Sequence, residues 1–154
     1  MSFIRIKKRR VAEKKLVFVT EKPILLNMDV DYKKQEVWVK TNEDEFVGFA
    51  KVNPVATDNK VKVCTLTHFE TSLQKMGIGR MMLLGILSIA KNNEAMKIDV
   101  FPDPVDLQIK GIKVLSVDEL CEIYQRLGFA FYKENPDMLS VTDRKMFINI
   151  DSYR

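Results

Sequence analysis

The stretch Gln74-Lys75-Met76-Gly77-Ile78-Gly79-Arg80 separates two runs of opposite character. Before it, residues 61–69 are largely apolar and β-branched, the signature of a strand. After it, apolar residues at 78, 81, 82, 86, 89 and 90 recur with helical spacing. A strand that passes through a glycine turn into a helix N-terminus presents backbone N–H groups the helix cannot pair, together with the positive end of its dipole. That is a cradle for a phosphate or a diphosphate. Gly77 and Gly79 let the backbone approach such a ligand without a Cβ in the way, and Lys75 and Arg80 add positive charge. Two familiar phosphate loops are excluded. A P-loop continues Gly-Lys-Ser/Thr where this chain has Gly79-Arg80-Met81, and a dinucleotide fingerprint needs a third glycine where Met82 stands.

What does fit is Gln/Arg-x-x-Gly-x-Gly/Ala, carried by Gln74, Gly77 and Gly79. Further on, Tyr124-Gln125-Arg126-Leu127-Gly128-Phe129 has the form Tyr-x-x-Leu-Gly-Phe, a helix end closed by glycine before a strand. In this order, with a strand pattern between them, the two motifs resemble those of the GNAT superfamily of acetyl-CoA-dependent N-acetyltransferases, over roughly residues 61–150. The resemblance implies an α/β (α+β) fold: a mixed, mostly antiparallel central sheet, flanked by helices and splayed at the CoA site. It implies that pantetheine pairs with backbone groups of Phe69, Glu70 and Thr71, and that the diphosphate is held at Gln74, Lys75, Met76, Gly77, Ile78, Gly79 and Arg80. It gives Tyr124 the role of proton donor to the departing thiolate. A phenol with a pKa of about 10 is protonated at neutral pH and available for that step. A core tyrosine whose hydroxyl has a structural partner is the alternative for Tyr124.

No motif singles out the base. His68, the sole histidine, and Glu70 lie at the end of the strand and share a face by period 2. Counting back from Gln74, the residues that face the acceptor are instead Thr65, Thr67 and Phe69, unless a β-bulge inverts the count. Asp99, a carboxylate within an apolar strand pattern, is another candidate, as are a water chain and an amine that arrives deprotonated. Two departures from the family stand out. Val117 and Leu120 occupy places where it often has Asn and Ala, which puts one CoA contact in doubt. Only about fifteen residues separate a strand expected at 16–20 from one starting near Gln35, where most relatives place two helices that roof the acceptor groove.

The remaining features suit one domain spanning residues 1–154, long enough for a continuous core. A net charge of +4 suits an anionic ligand such as CoA but is too small to argue for nucleic acid, and aromatics are not clustered for base stacking. The basic stretch 1–15 reads as a first strand with flanking charge, or as a contact for RNA, an acidic protein or the CoA 3′-phosphate. No apolar run reaches the roughly 18 residues of a membrane span, and no signal-peptide core follows the basic start. Cys64 and Cys121 read as small core residues, and two cysteines with one histidine do not make a structural zinc site. The chain reads as reduced, cytoplasmic and metal-free.

In chain order, 23–32 is expected to be irregular or a short helical turn, and 35–40 and 46–52 form a hairpin around the polar turn 41–45. A loop follows at 53–60, then the strand 61–69, a deeply buried helix 78–92 and a strand 95–101 ended by Pro102 and Pro104. After an unusually long 101–116 comes a helix at 117–127, with Ser116 as N-cap and Glu119 at N3, and strands at 129–133 and 145–150.

The resemblance implies transfer of an acetyl group from acetyl-CoA to an amine. The short 23–32 interval points to an open groove and a protein or peptide acceptor, a lysine or an N-terminus, unless 101–116 or the partner chain of a homodimer fills the groove. The alternatives are a small-molecule amine acetyltransferase and a non-catalytic CoA-binding or protein-interaction module.

Overall fold

A meander of antiparallel strands leads into the glycine turn. The computed structural model describes residues 2–6, 24–56, 62–72, 77–104, 107–109 and 111–151. β1 (Ser2–Ile6), β2 (Ile24–Asp31), β3 (Glu36–Thr41), β4 (Phe46–Ala56) and β5 (Lys62–Thr71) pair antiparallel in chain order. Helix α1 (Ile78–Asn92) then carries the chain over to β6 (Lys97–Val100), which runs parallel to β5. A parallel neighbour requires such a crossover. Helix α2 (Val117–Leu127) precedes β7 (Ala130–Phe131) and β8 (Met146–Asn149), and the sheet closes in the order β5-β6-β8-β7. The mixed, mostly antiparallel sheet is the one the motifs imply.

The core lies where α1 crosses the sheet. Leu26, Val37, Val39, Ala50, Val52 and Leu66 are buried against Ile78, Met82, Ile86 and Ile89 of the helix. Gly85 sets how closely the helix approaches: a Cβ there would lie 2.8 Å from Val37 Cγ2 and 3.2 Å from Met28 Sδ. Gly85→Ala is therefore expected to cost about 1–3 kcal/mol through overpacking, despite alanine's better helix propensity. Urea unfolding measures it, and a variant as stable as the wild type would contradict this packing. The two cysteines are free and buried, as small core residues should be. Among the described residues no helix is long and apolar enough to cross a membrane.

The expected capping of α2 is present. Ser116 Oγ accepts the Glu119 N–H at 3.2 Å, and the Glu119 carboxylate accepts the Ser116 N–H at 3.1 Å.

Two expectations are corrected. The 23–32 stretch is neither irregular nor a helical turn but contains β2. Its alternation puts Leu26 and Met28 in the core, with Asn27 and Asp29 turned outward, and long-range pairing overrides the poor strand propensity of Asn and Asp. Asp31 Oδ1 accepts the N–H groups of Lys33 and Lys34 at 3.0 and 2.9 Å, closing a turn straight into β3. Likewise the 53–60 loop begins late, because β4 continues through Pro54, which pairs with Cys64 of β5. Val52 sends its N–H to Gln35 O on the β3 side, at 3.1 Å. Two residues on, Pro54 turns its nitrogen the same way, past the end of β3, where no ladder bond is lost. Three other strands are shorter than expected, at Lys97–Val100, Ala130–Phe131 and Met146–Asn149. The strand expected at 16–20 lies outside the described residues.

Candidate functional site

β5 and β6 stay together only from Val63↔Lys97 to Leu66↔Val100. Where they part, β5 carries a bulge: Val52 pairs with Leu66 and Lys51 with His68, so Thr67 is an extra residue. Its Oγ1 donates to Lys51 O at 3.2 Å. A bulge bends its strand, and here it coincides with the opening of the sheet. It also inverts the face count. Beyond it Phe69 falls with Leu66, while His68 and Glu70 share the face of Thr65.

The opening is a partly enclosed cleft between β5, β6 and α2. Thr67, Phe69, Glu70 and Thr71 line it from β5, Val100 from β6, and Leu120, Ile123 and Tyr124 from α2. Leu107 and residues 112–115 supply a further wall. That wall belongs to the unusually long 101–116 stretch, which the sequence marked as one that could fill the groove.

At the start of α1, Gly77 is the N-cap with φ of 80°, a left-handed conformation that favours glycine, and no atom lies within 4 Å of where a Cβ would stand. No side chain of the described residues caps this helix, and its first turn holds no acidic residue. α2 differs, with a capping box and Asp118 and Glu119 in its first turn. Among the described residues, then, no capping or acidic side chain meets the positive end of the α1 dipole. At Gly79 a Cβ would stand 3.8 Å from Phe69 and 3.9 Å from Leu127, at ordinary van der Waals contact. Gln74, Lys75 and Met76 lie outside the described residues.

Phe69 joins the two parts. Its ring faces Gly79 of α1 and meets Tyr124 edge-on, with centroids 5.8 Å apart. Tyr124 is 5% exposed and also packs on Phe129, at 5.5 Å. Burial pushes its pKa above the usual phenol value, with a smaller push from Cys121, so it holds its proton. The folded state then binds that proton more tightly than the unfolded chain. The resulting stability is complete below pH about 10 and is lost as pH rises beyond it. Tyr132, raised by burial and then by Asp99, acts in the same direction. The unfolding free energy is expected to fall above pH about 10, and Tyr124→Phe to make that fall shallower by up to about 1.4 kcal/mol per pH unit. Equal slopes in wild type and variant would reject this.

The candidate bases part company. Glu70 is 2% exposed and accepts the N–H groups of Gln108 and Ile109. His68 Nδ1 lies 3.2 Å from Oγ1 of Thr67, a lining residue, and its ring stands 5.6 Å from that of Phe49, but His68 does not itself line the cleft. Asp99 is buried, accepts the Tyr132 hydroxyl and pairs with Lys145 at 3.3 Å. The cleft therefore gathers Phe69, Glu70, Thr71 and Tyr124, with Gly79 adjoining through Phe69, and leaves His68 and Asp99 aside.

Solved structures share this arrangement of strands and helices. The GNAT family N-acetyltransferase YhbS from Escherichia coli, in complex with CoA, superposes with a TM-score of 0.55 at 8% identity, over 82% of this chain and 81% of that one. The fold is the GNAT fold. Ard1 from Thermoplasma volcanium gives 0.50 at 16% identity, over 76% and 71% of the two chains. AtaTR bound with AcCoA gives 0.51 at 14% identity, over 76% and 68%. No family model and no curated protein sequence matches the chain.

Proposed function

We propose that this protein is an acetyl-CoA-dependent N-acetyltransferase. The observation that carries the proposal is the junction at Phe69, which sets an uncapped helix N-terminus beside a cleft that ends on a buried, protonated tyrosine. The backbone at Gly77 and Ile78 binds the diphosphate, and the strand end at Phe69, Glu70 and Thr71 lies along pantetheine. A neutral amine nitrogen attacks the thioester carbonyl carbon, and the C–S bond breaks as the C–N bond forms. Tyr124 donates its hydroxyl proton to the sulfur, and the proton lost by the nitrogen restores the phenol through solvent. Preorganised donors of this kind act where charge develops.

A protein or peptide amine is the favoured acceptor. The 32–35 turn joins β2 directly to β3 and sets no helix over the sheet there, which supports access for an amine on a large molecule, while residues 107 and 112–115 wall the cleft from another side. Release of free thiol from acetyl-CoA across an amine panel tests the activity. Comparing kcat/KM for polyamines and aminoglycosides with that for lysine-containing peptides tests the acceptor class. A small amine preferred a hundredfold or more would reject the open-groove argument.

One observation favours a second reading, a CoA-binding module without catalysis. Glu70, a carboxylate that lines the same cleft as Tyr124, is already engaged by backbone amides. CoA binding without thiol release from any amine would decide for that reading.

A further inference from the structure

We propose that Glu70 is a latch, which holds the segment after β6 in place as a wall of the acyl-CoA cleft and so acts as a positioning residue. The identity of the ligand rests on the function proposed above, whereas the latch is a property of the unliganded fold. Both carboxylate oxygens are engaged. Oε1 accepts the Gln108 N–H at 2.8 Å and the Ile109 N–H at 3.0 Å, and Oε2 accepts the Gln108 N–H at 2.9 Å. Two successive amides converging on one carboxylate make a small anion-binding turn. At 2% exposure the carboxylate needs such partners, because an ionised group buried without them is strongly disfavoured.

The segment depends on anchors of this kind. Between Val100 and Val117 it contains no helix or strand among the described residues, so no ladder of backbone bonds holds it. A second anchor is the ion pair in which Arg144 Nη2 donates to Asp103 Oδ1 at 2.6 Å. Beside the Glu70 turn, Leu107 faces the cleft, and Ile112, Val114 and Leu115 continue the same wall. Releasing the turn therefore removes part of the surface that encloses a ligand. A carboxylate whose two oxygens already accept three N–H contacts also has little acceptor capacity left for the proton of an amine.

The test compares the full chain with Glu70→Gln, which keeps the shape but turns an NH2 group toward the amide donors. Hydrogen exchange, read by mass spectrometry without ligand, is expected to speed up about tenfold or more at 107–115 and to stay unchanged in α1. CoA, titrated by calorimetry, is expected to bind about tenfold more weakly. Unchanged exchange at 107–115 overturns the latch. Faster exchange with undiminished CoA affinity overturns the wall. A fall in kcat with both exchange and CoA affinity intact returns Glu70 to the role of base and also overturns the proposal. A wild type that fails to bind CoA overturns the acyl-CoA reading, while the exchange contrast still upholds the latch. Should Glu70→Gln unfold the chain, Glu70→Asp reads the same two quantities: it keeps the charge but shortens the reach by one methylene.

Discussion

Tyr124→Phe is expected to lower the rate of acetyl transfer by roughly 10² or more, with little change in CoA affinity or stability at neutral pH. The phenylalanine ring fills the same space against Phe69 and Phe129, so the edge-on aromatic contacts at 5.8 and 5.5 Å survive. What goes is one O–H at the cleft. If that O–H protonates the departing sulfur, its loss acts only when the C–S bond breaks and shows in kcat. A structural role would look different, with a lower unfolding free energy and an unchanged rate in the folded fraction. Single-turnover measurement, with chemistry limiting, separates the two. Full turnover in Tyr124→Phe would remove the residue from the mechanism and strengthen the non-catalytic reading.

The parts of the site legible in the sequence are those whose chemistry is local. The start of α2 shows because a capping box lies within four consecutive residues, Ser116 to Glu119, and the start of α1 shows because Gly77 must adopt a positive φ there. Tyr124 shows through its distance from Gly128 and Phe129 at the helix end. Parts that depend on remote chain were hidden. β2 carries Asn27, Asp29 and Asp31, which argue for a loop until β3 and the core hold the other face. Glu70 meets amides 38 and 39 residues away, and a backbone N–H has no signature in a sequence, so nothing there revealed these partners of a carboxylate at a strand end. The bulge at Thr67 is of the same kind. Its consequence, the exchange of faces between Phe69 and Glu70, is large, yet the register shift against β4 that makes it is not written in β5 alone.

The second large effect is expected at the diphosphate cradle. Gly79 is a poorer place to test it, since a Cβ there already stands at contact distance from Phe69 and Leu127, and a longer side chain would mix packing with binding. Gly77 is better: the space around it is open, and its φ of 80° is one that Asp and Asn tolerate more readily than other residues. Gly77→Asn and Gly77→Asp impose the same bulk and nearly the same backbone strain, and differ by one charge. A carboxylate about 4 Å from a phosphate repels it by roughly 4 kcal/mol at an effective dielectric of about 20. Even half of that, after relaxation and screening by salt, weakens binding by about thirtyfold. Gly77→Asp is therefore expected to bind CoA at least about thirtyfold more weakly than Gly77→Asn. The gap should narrow as salt rises and should shrink for pantetheine, which lacks the diphosphate. Equal CoA affinities in the two folded variants would mean that no anion sits at the start of α1, and the acyl-CoA assignment would fall with it.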